Sequence, residues 1–107
     1  MKLTDLDPQF IKIIPKGHQI VDTIAEADGL LFLCPGCFIK NGGSAGTHSI
    51  ICWRPKVPPE ELPKPGRWEF EGTNFNDLTL TAGSSSIFLK GGCGAHFFIQ
   101  KGDIQIC

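Results

Sequence analysis

The chain has 107 residues, a formal net charge of −1 and a hydrophobic fraction of 41%. This length suits one domain spanning 1–107, and the composition is that of a folded globular protein and excludes an intrinsically disordered chain. The small net charge and the scattered Lys and Arg residues predict no basic surface for nucleic acid or an anionic membrane. The first ten residues hold acids and a proline where a signal peptide needs an apolar run, and the apolar run at 30–33 is too short to span a bilayer. We therefore expect a cytoplasmic protein.

Short β-like runs separated by turn signals occupy most of the chain. In chain order they lie at 9–14, 18–24, 30–33, 47–53, 67–71, 78–81, 85–89, 95–100 and 103–106. Thirteen glycines and eight prolines disfavour helices, because Gly costs about 1 kcal/mol and Pro about 3 kcal/mol relative to Ala inside a helix. The sequence therefore predicts a mostly β, small antiparallel fold with at most one short helix.

Residues 55–66 contain five of the eight prolines. Proline cannot donate to a sheet ladder, so we expect this segment to be an extended, polyproline-like loop on the surface, internal to the domain. Such rigid segments lose little entropy on binding, which makes the loop a candidate contact for another protein.

Two turns with the same ligand spacing are the strongest chemical signal in the chain. Cys34-Pro35-Gly36-Cys37 follows the apolar run at 30–33, and Cys93-Gly94-Ala95-His96 precedes an apolar strand. Ligands three positions apart on a tight turn can point at one ion, and two such turns complete the tetrahedral Cys₃His set that structural zinc prefers. The sequence therefore predicts zinc-ribbon-like knuckles holding one structural zinc ion through Cys34, Cys37, Cys93 and His96. Such a site can supply about 10 kcal/mol or more of apparent binding free energy.

Other interpretations of these residues remain open. The first cysteine pair could be a redox pair, but a redox pair normally opens a helix, and 38–43 offers no helical continuation. His48 and Cys52 could compete as ligands, but in an extended run they lie about 13 Å apart, too far to reach one ion together. We expect Cys52 in the core, Cys107 at an exposed chain end, and His48 on the surface or beside the metal turn.

We find no catalytic signature in the sequence. The His-x-Glu of zinc deaminases, the His-Glu-x-x-His of metalloproteases and the Gly-rich phosphate loop are all absent. The acids Glu69 and Asp77 lie between β runs and, with His48, could serve a metal-dependent hydrolase if zinc kept an open position. This hydrolase is the alternative hypothesis, and a nucleic-acid-binding zinc ribbon is a weaker one.

Several motifs in the second part of the chain occur in a familiar order. The Cys-Pro-x-Cys turn is followed by Trp68-Glu69-Phe70, a serine-rich run at 83–86, the Cys-x-x-His turn with its aromatic strand, and Gly102-Asp103-Ile104. In this order, residues 29–107 resemble a family of small uncharacterised zinc-binding domains of bacteriophages and bacteria, also encoded beside bacterial ubiquitin-like operons. The resemblance implies a zinc-binding β fold and a phage or bacterial source, and it implies no reaction.

The favoured hypothesis is a non-enzymatic, zinc-stabilised β module that binds another protein. Its candidate contacts are Pro58, Pro59 and Pro63 in the proline-rich loop and Phe97 in the strand after the second turn.

Overall fold

The computed structural model describes residues 1–63, 66–81, 86–89 and 93–106. Within these ranges the chain is about 40% strand and 11% helix, and its strands form three antiparallel sheets. This confirms the prediction of a mostly antiparallel β fold with one short α-helix. The serine-rich run expected at 83–86 lies largely outside the described residues, as does Cys107.

The largest sheet has four strands in the order β2-β1-β3-β4. These are β1 (Gln9–Ile14), β2 (Gly17–Val21), β3 (Gly29–Leu33) and β4 (Ser49–Trp53). Because side chains alternate across a strand, the sheet buries apolar residues on both faces. One face carries Phe10, Leu30 and Phe32 into the main core, and the other carries Ile11 and Trp53 into a smaller cluster with Val57.

The other two sheets complete the main core. The first pairs β5 (Glu69–Glu71) with β6 (Thr79–Thr81), and the second contains β7 (Ile87–Phe88), β8 (His96–Gln100) and β9 (Asp103–Ile106). The Phe32 and Phe97 rings meet edge to face at 6.0 Å, so the four-stranded and three-stranded sheets share one core. A short 3₁₀ helix (Leu3–Leu6) closes this core with two fully buried leucines.

The proline-rich loop differs from the extended segment that we expected. Its described part folds into turns around the guanidinium of Arg67, which donates hydrogen bonds to five backbone carbonyl oxygens at 2.6–3.3 Å. These acceptors belong to Val57, Pro58, Glu61, Pro63 and Gly66. Backbone carbonyl oxygens in the described part of this loop have no partner in a neighbouring strand. The several N–H groups of one guanidinium donate hydrogen bonds to these oxygens instead.

The loop is also fixed to the four-stranded sheet. Val57 is buried against Trp53 and Ile11, and the Trp53 Nε1–H donates to the Leu62 carbonyl oxygen at 2.8 Å. The loop therefore packs onto part of the second face of the sheet, over Ile11 and Trp53.

The helical content consists of short pieces. The α-helix has seven residues, and no helix in the described ranges combines the length and apolarity that crossing a membrane requires.

Candidate metal centre

The first cysteine turn lies where β3 ends and the α-helix begins. Cys34 is the N-cap residue of α1 (Pro35–Asn41), and Cys37 lies in its first turn. Pro35 suits the first helical position, where its missing N–H needs no partner, and Gly42 ends the helix at φ 70°. Our expectation that no helix continues from this turn was wrong, because two terminal signals, Pro at the start and Gly after the end, outweigh the poor interior sequence.

His48 reaches the same place through the pairing of two strands. In the antiparallel register of β3 and β4, Leu33 lies opposite Ser49, so the next pair outward is Cys34 with His48. The Cys34 backbone N–H donates to the His48 carbonyl oxygen at 2.9 Å. The register of the sheet therefore fixes the position of His48 beside the first cysteine.

The turn between β7 and β8 brings Cys93. The Leu89 N–H donates to the Ala95 carbonyl oxygen at 2.9 Å, and Gly94 adopts φ 76°, a left-handed conformation that glycine allows at no steric cost. The two cysteine turns approach so closely that a Cβ on Gly36 would lie 3.1 Å from the Ala95 Cβ. Glycine at position 36 therefore permits the contact between the turns.

Four ligand atoms converge at this junction. One atom from each of Cys34, Cys37, His48 and Cys93 lies within 4.8 Å of the others, and the Cys34 and Cys93 Sγ atoms are 3.5 Å apart. Cys34 is fully buried, whereas His48 and Cys93 lie at the surface. Three thiols and one imidazole in this arrangement could hold a metal ion, with one side of the cluster in the core and the other facing solvent.

The thiols of the cluster differ in acidity. The pKa of Cys93 is lowered to about 7, first by a hydrogen bond from the Ala95 backbone and also by the His48 side chain, while burial opposes the shift. Burial raises the pKa of the Cys34 thiol to about 11. A cation bound by the cluster would favour the thiolate form of every cysteine in it, including the buried one.

The structure places the predicted fourth ligand, His96, outside this group. His96 is the first residue of β8, paired with Phe88, and its ring lies 6.4 Å from that of Phe98 on the same strand face. Because β8 already begins at His96, side chains alternate from this residue onward. His96 and Phe98 therefore lie on one face of the strand, and Phe97 lies on the other face, in the core. The imidazole of this cluster comes from His48.

The remaining candidate residues lie apart from the cluster. Cys52 is fully buried in β4, as expected, and burial raises its pKa. Glu69 is exposed on β5. Asp77 accepts hydrogen bonds from the Asn74 N–H and from the Thr73 N–H and hydroxyl, and these lower its pKa. Neither acid belongs to the cluster.

The candidate partner contacts have different surroundings. Pro58, Pro59 and Pro63 are exposed in the proline-rich loop. Phe97 is fully buried, so its ring cannot contact a partner, because the alternation of β8 assigns it to the core.

No protein-family model, curated protein or solved structure matches this chain. The geometry of the cluster and of the surface therefore carries the functional argument.

Proposed function

We propose that this chain is a small β module stabilised by one structural zinc ion and that it acts by binding another protein. The observation that carries the metal assignment is the convergence of the four ligand atoms within 4.8 Å. Tetrahedral zinc, with Zn–S bonds of about 2.3 Å, separates two sulfurs by about 3.8 Å. The Cys34 and Cys93 sulfurs lie 3.5 Å apart, so a shift of a few tenths of an ångström would accommodate the ion.

The donor set supports zinc over other common metals. Soft thiolates combined with imidazole in a tetrahedral arrangement are typical of zinc, whereas magnesium and calcium take oxygen ligands. Four protein ligands fill the tetrahedral coordination sphere and leave no position for a reactive water. This favours a structural ion over the hydrolase alternative, and neither Glu69 nor Asp77 contributes an atom to the cluster, which argues in the same direction.

The ion would join three parts of the chain that are distant in sequence. It would connect the start of α1, the residue before β4 and the turn before β8. Of these ligands, Cys34 and Cys93 are separated by 59 positions in the sequence. A site of this kind contributes about 10 kcal/mol or more of apparent binding free energy, comparable to the whole stability of a small domain. We therefore expect the metal to add substantially to the stability that the hydrophobic core provides without it.

The proline-rich loop supports a role in binding proteins. It presents the Leu62 side chain, 67% exposed, together with exposed prolines. The Arg67 hydrogen bonds tie together the carbonyls of Pro58, Glu61 and Pro63 in the described part of this loop. Preorganisation reduces the entropy lost on association, so an exposed leucine on such a frame suits an apolar pocket on a partner protein. We propose that the protein acts in the bacterial cytoplasm, which is the host cytoplasm if a phage encodes it, where thiols stay reduced and available to metal.

The metal assignment is tested on protein purified without added metal. Elemental analysis and X-ray absorption should find one zinc per chain, with three sulfur ligands and one nitrogen. The Cys93→Ser variant should lose most of the zinc, whereas Cys52→Ala, which alters a buried cysteine outside the cluster, should retain it. A wild-type protein without zinc, or zinc retained equally in both variants, would refute the assignment.

The binding role is tested by photo-crosslinking in the cells that make the protein. A photoreactive residue at position 62 should form one discrete protein adduct, whereas the same residue at position 39, an exposed isoleucine on α1, should not. Adding Arg67→Lys to the first variant should reduce the adduct, because lysine cannot reach several carbonyls at once. Equal adducts at both positions would show that the loop does not select a partner.

A further inference from the structure

The outer strand β2 of the four-stranded sheet has an open edge. It pairs with β1 alone, through five consecutive residue pairs from Phe10 with Val21 to Ile14 with Gly17. The Asp28 N–H donates to the Ile11 carbonyl oxygen at 2.8 Å, so the backbone of Ile11 faces β3. Because backbone groups alternate along a strand, the even-numbered residues of β1 face β2 instead.

This alternation determines which backbone groups of β2 are open. Gly17, Gln19 and Val21 lie opposite even-numbered residues of β1 and direct their N–H and C=O groups toward it. His18 and Ile20 direct theirs outward, and no hydrogen bond within the described ranges reaches those outward groups. The edge therefore offers two residues ready to pair with another strand.

The edge also lacks the features that usually prevent such pairing. Open edges are commonly protected by a bulge, a proline or a lysine within the strand. The pairing of β2 with β1 is uninterrupted, and its sequence Gly-His-Gln-Ile-Val contains neither lysine nor proline. Ile20 is 60% exposed, on the same face as Ile11 and next to it across the pair.

We propose that this edge binds the same edge of a second copy of the chain, with the two β2 strands antiparallel around Gln19. In this register His18 of each copy lies opposite Ile20 of the other, so that the outward-facing residues pair and exchange about four backbone hydrogen bonds. The two four-stranded sheets become one continuous eight-stranded sheet.

Charge complementarity selects a second copy as the occupant. Lys16 directly precedes β2 and Asp22 directly follows it, and both residues are exposed. Antiparallel pairing brings the start of one β2 beside the end of the other, so Lys16 of each copy lies near Asp22 of the other. The positive Lys16 of each copy therefore meets the negative Asp22 of the other, and the twofold axis produces this ion pair twice. Shifting the register by two residues would separate these charges, so the ion pairs also fix the alignment.

The expected dimer is weak. One strand-to-strand contact buries less surface than the roughly 1,200–2,000 Å² typical of a stable interface. We therefore expect the dimer to form at high protein concentration and to dissociate on dilution. The contact involves none of the cluster residues, so it is independent of the metal proposal.

Charge reversal tests the proposal without altering the core. Sedimentation equilibrium at low salt should show a monomer–dimer equilibrium for the wild-type protein. Lys16→Asp and Asp22→Lys should each weaken dimerisation at least about fivefold, because like charges then face each other at both ends. An equimolar mixture of the two single variants should form a heterodimer, and the double variant should recover wild-type dimerisation.

A second measurement locates the interface. Amide NMR signals of His18 and Ile20 should shift with protein concentration more than that of Gln19, whose N–H already faces β1. A wild-type protein that stays monomeric at millimolar concentration would overturn the proposal. Single variants that dimerise as well as the wild-type protein would also overturn it, since the contact would then lie elsewhere.

Discussion

The choice between His48 and His96 as the fourth ligand is the most direct test of the metal centre. We predict that His48→Ala weakens zinc binding and that His96→Ala leaves it nearly unchanged. His48 contributes one of the four converging ligand atoms, whereas the His96 ring lies along β8 beside Phe98. The two substitutions remove the same side chain and so form a matched pair.

The expected magnitude follows from the closed ligand set. Structural zinc sites provide about 10–16 kcal/mol of apparent binding free energy, so one ligand in four accounts for about 3 kcal/mol. This corresponds to a loss of affinity of roughly 10²–10³-fold. At a fixed free zinc concentration above Kd, a hundredfold loss lowers the stability of the folded state by about 2.7 kcal/mol, or roughly 10–20 °C in Tm for a chain of this size.

Competition with a chromophoric chelator measures the affinity, and thermal unfolding at buffered free zinc measures the stability. Thermal unfolding in excess chelator provides the control, because the two variants should then differ little from each other. If His96→Ala reduced zinc affinity more than His48→Ala, the assignment of the fourth ligand from the strand register would be refuted.

Three further predictions concern the loop, the sheet and the thiols. Arg67→Lys should lower the free energy of unfolding by about 1–3 kcal/mol and expose the proline-rich loop to limited proteolysis without changing zinc content, because several exposed or partly buried loop carbonyls lose a charged donor. An unchanged cleavage rate would contradict this. Gly29→Ala should destabilise the protein by about 1–3 kcal/mol in urea unfolding, because the new Cβ would lie 2.5 Å from the Trp53 ring; wild-type stability would show that the ring can move aside. In metal-free Cys107→Ser protein, iodoacetamide should modify Cys93 faster than Cys34, because the pKa of Cys93 is lowered and that of Cys34 is raised. The rate at Cys93 should rise as pH increases through about 7. Peptide mapping by mass spectrometry measures both rates; zinc should suppress them, and faster modification of Cys34 would contradict the assigned acidities.

The Cys93 thiol also links stability to pH in the metal-free protein. Its folded pKa is lowered, so the thiolate favours the folded state at high pH, and this contribution disappears as pH falls through about 7. Because the side chain is exposed, solvent weakens this contribution.

Local patterns were sufficient to predict most of the strands. The predicted runs at 9–14 and 103–106 have the same bounds as β1 and β9, because alternating apolar residues and turn residues are local features of the sequence. The same local reasoning failed at α1, whose interior is a poor helix former, and at the proline-rich loop. In that loop the hydrogen bonds come from Arg67, the residue that directly follows it, and proline content cannot reveal them.

The sequence alone determined that Cys34, Cys37 and Cys93 were candidate ligands, because their spacing on turns is written in the chain. The tertiary structure brought His48 into the cluster as its fourth candidate ligand. His48 lies beside Cys34 only through the register of β3 with β4, and His96 is not part of the cluster. A signal existed in the sequence, since an antiparallel strand returning after α1 brings its first residues near the end of β3. Its register depends on packing across the whole sheet, and side-chain spacing along the chain does not encode that.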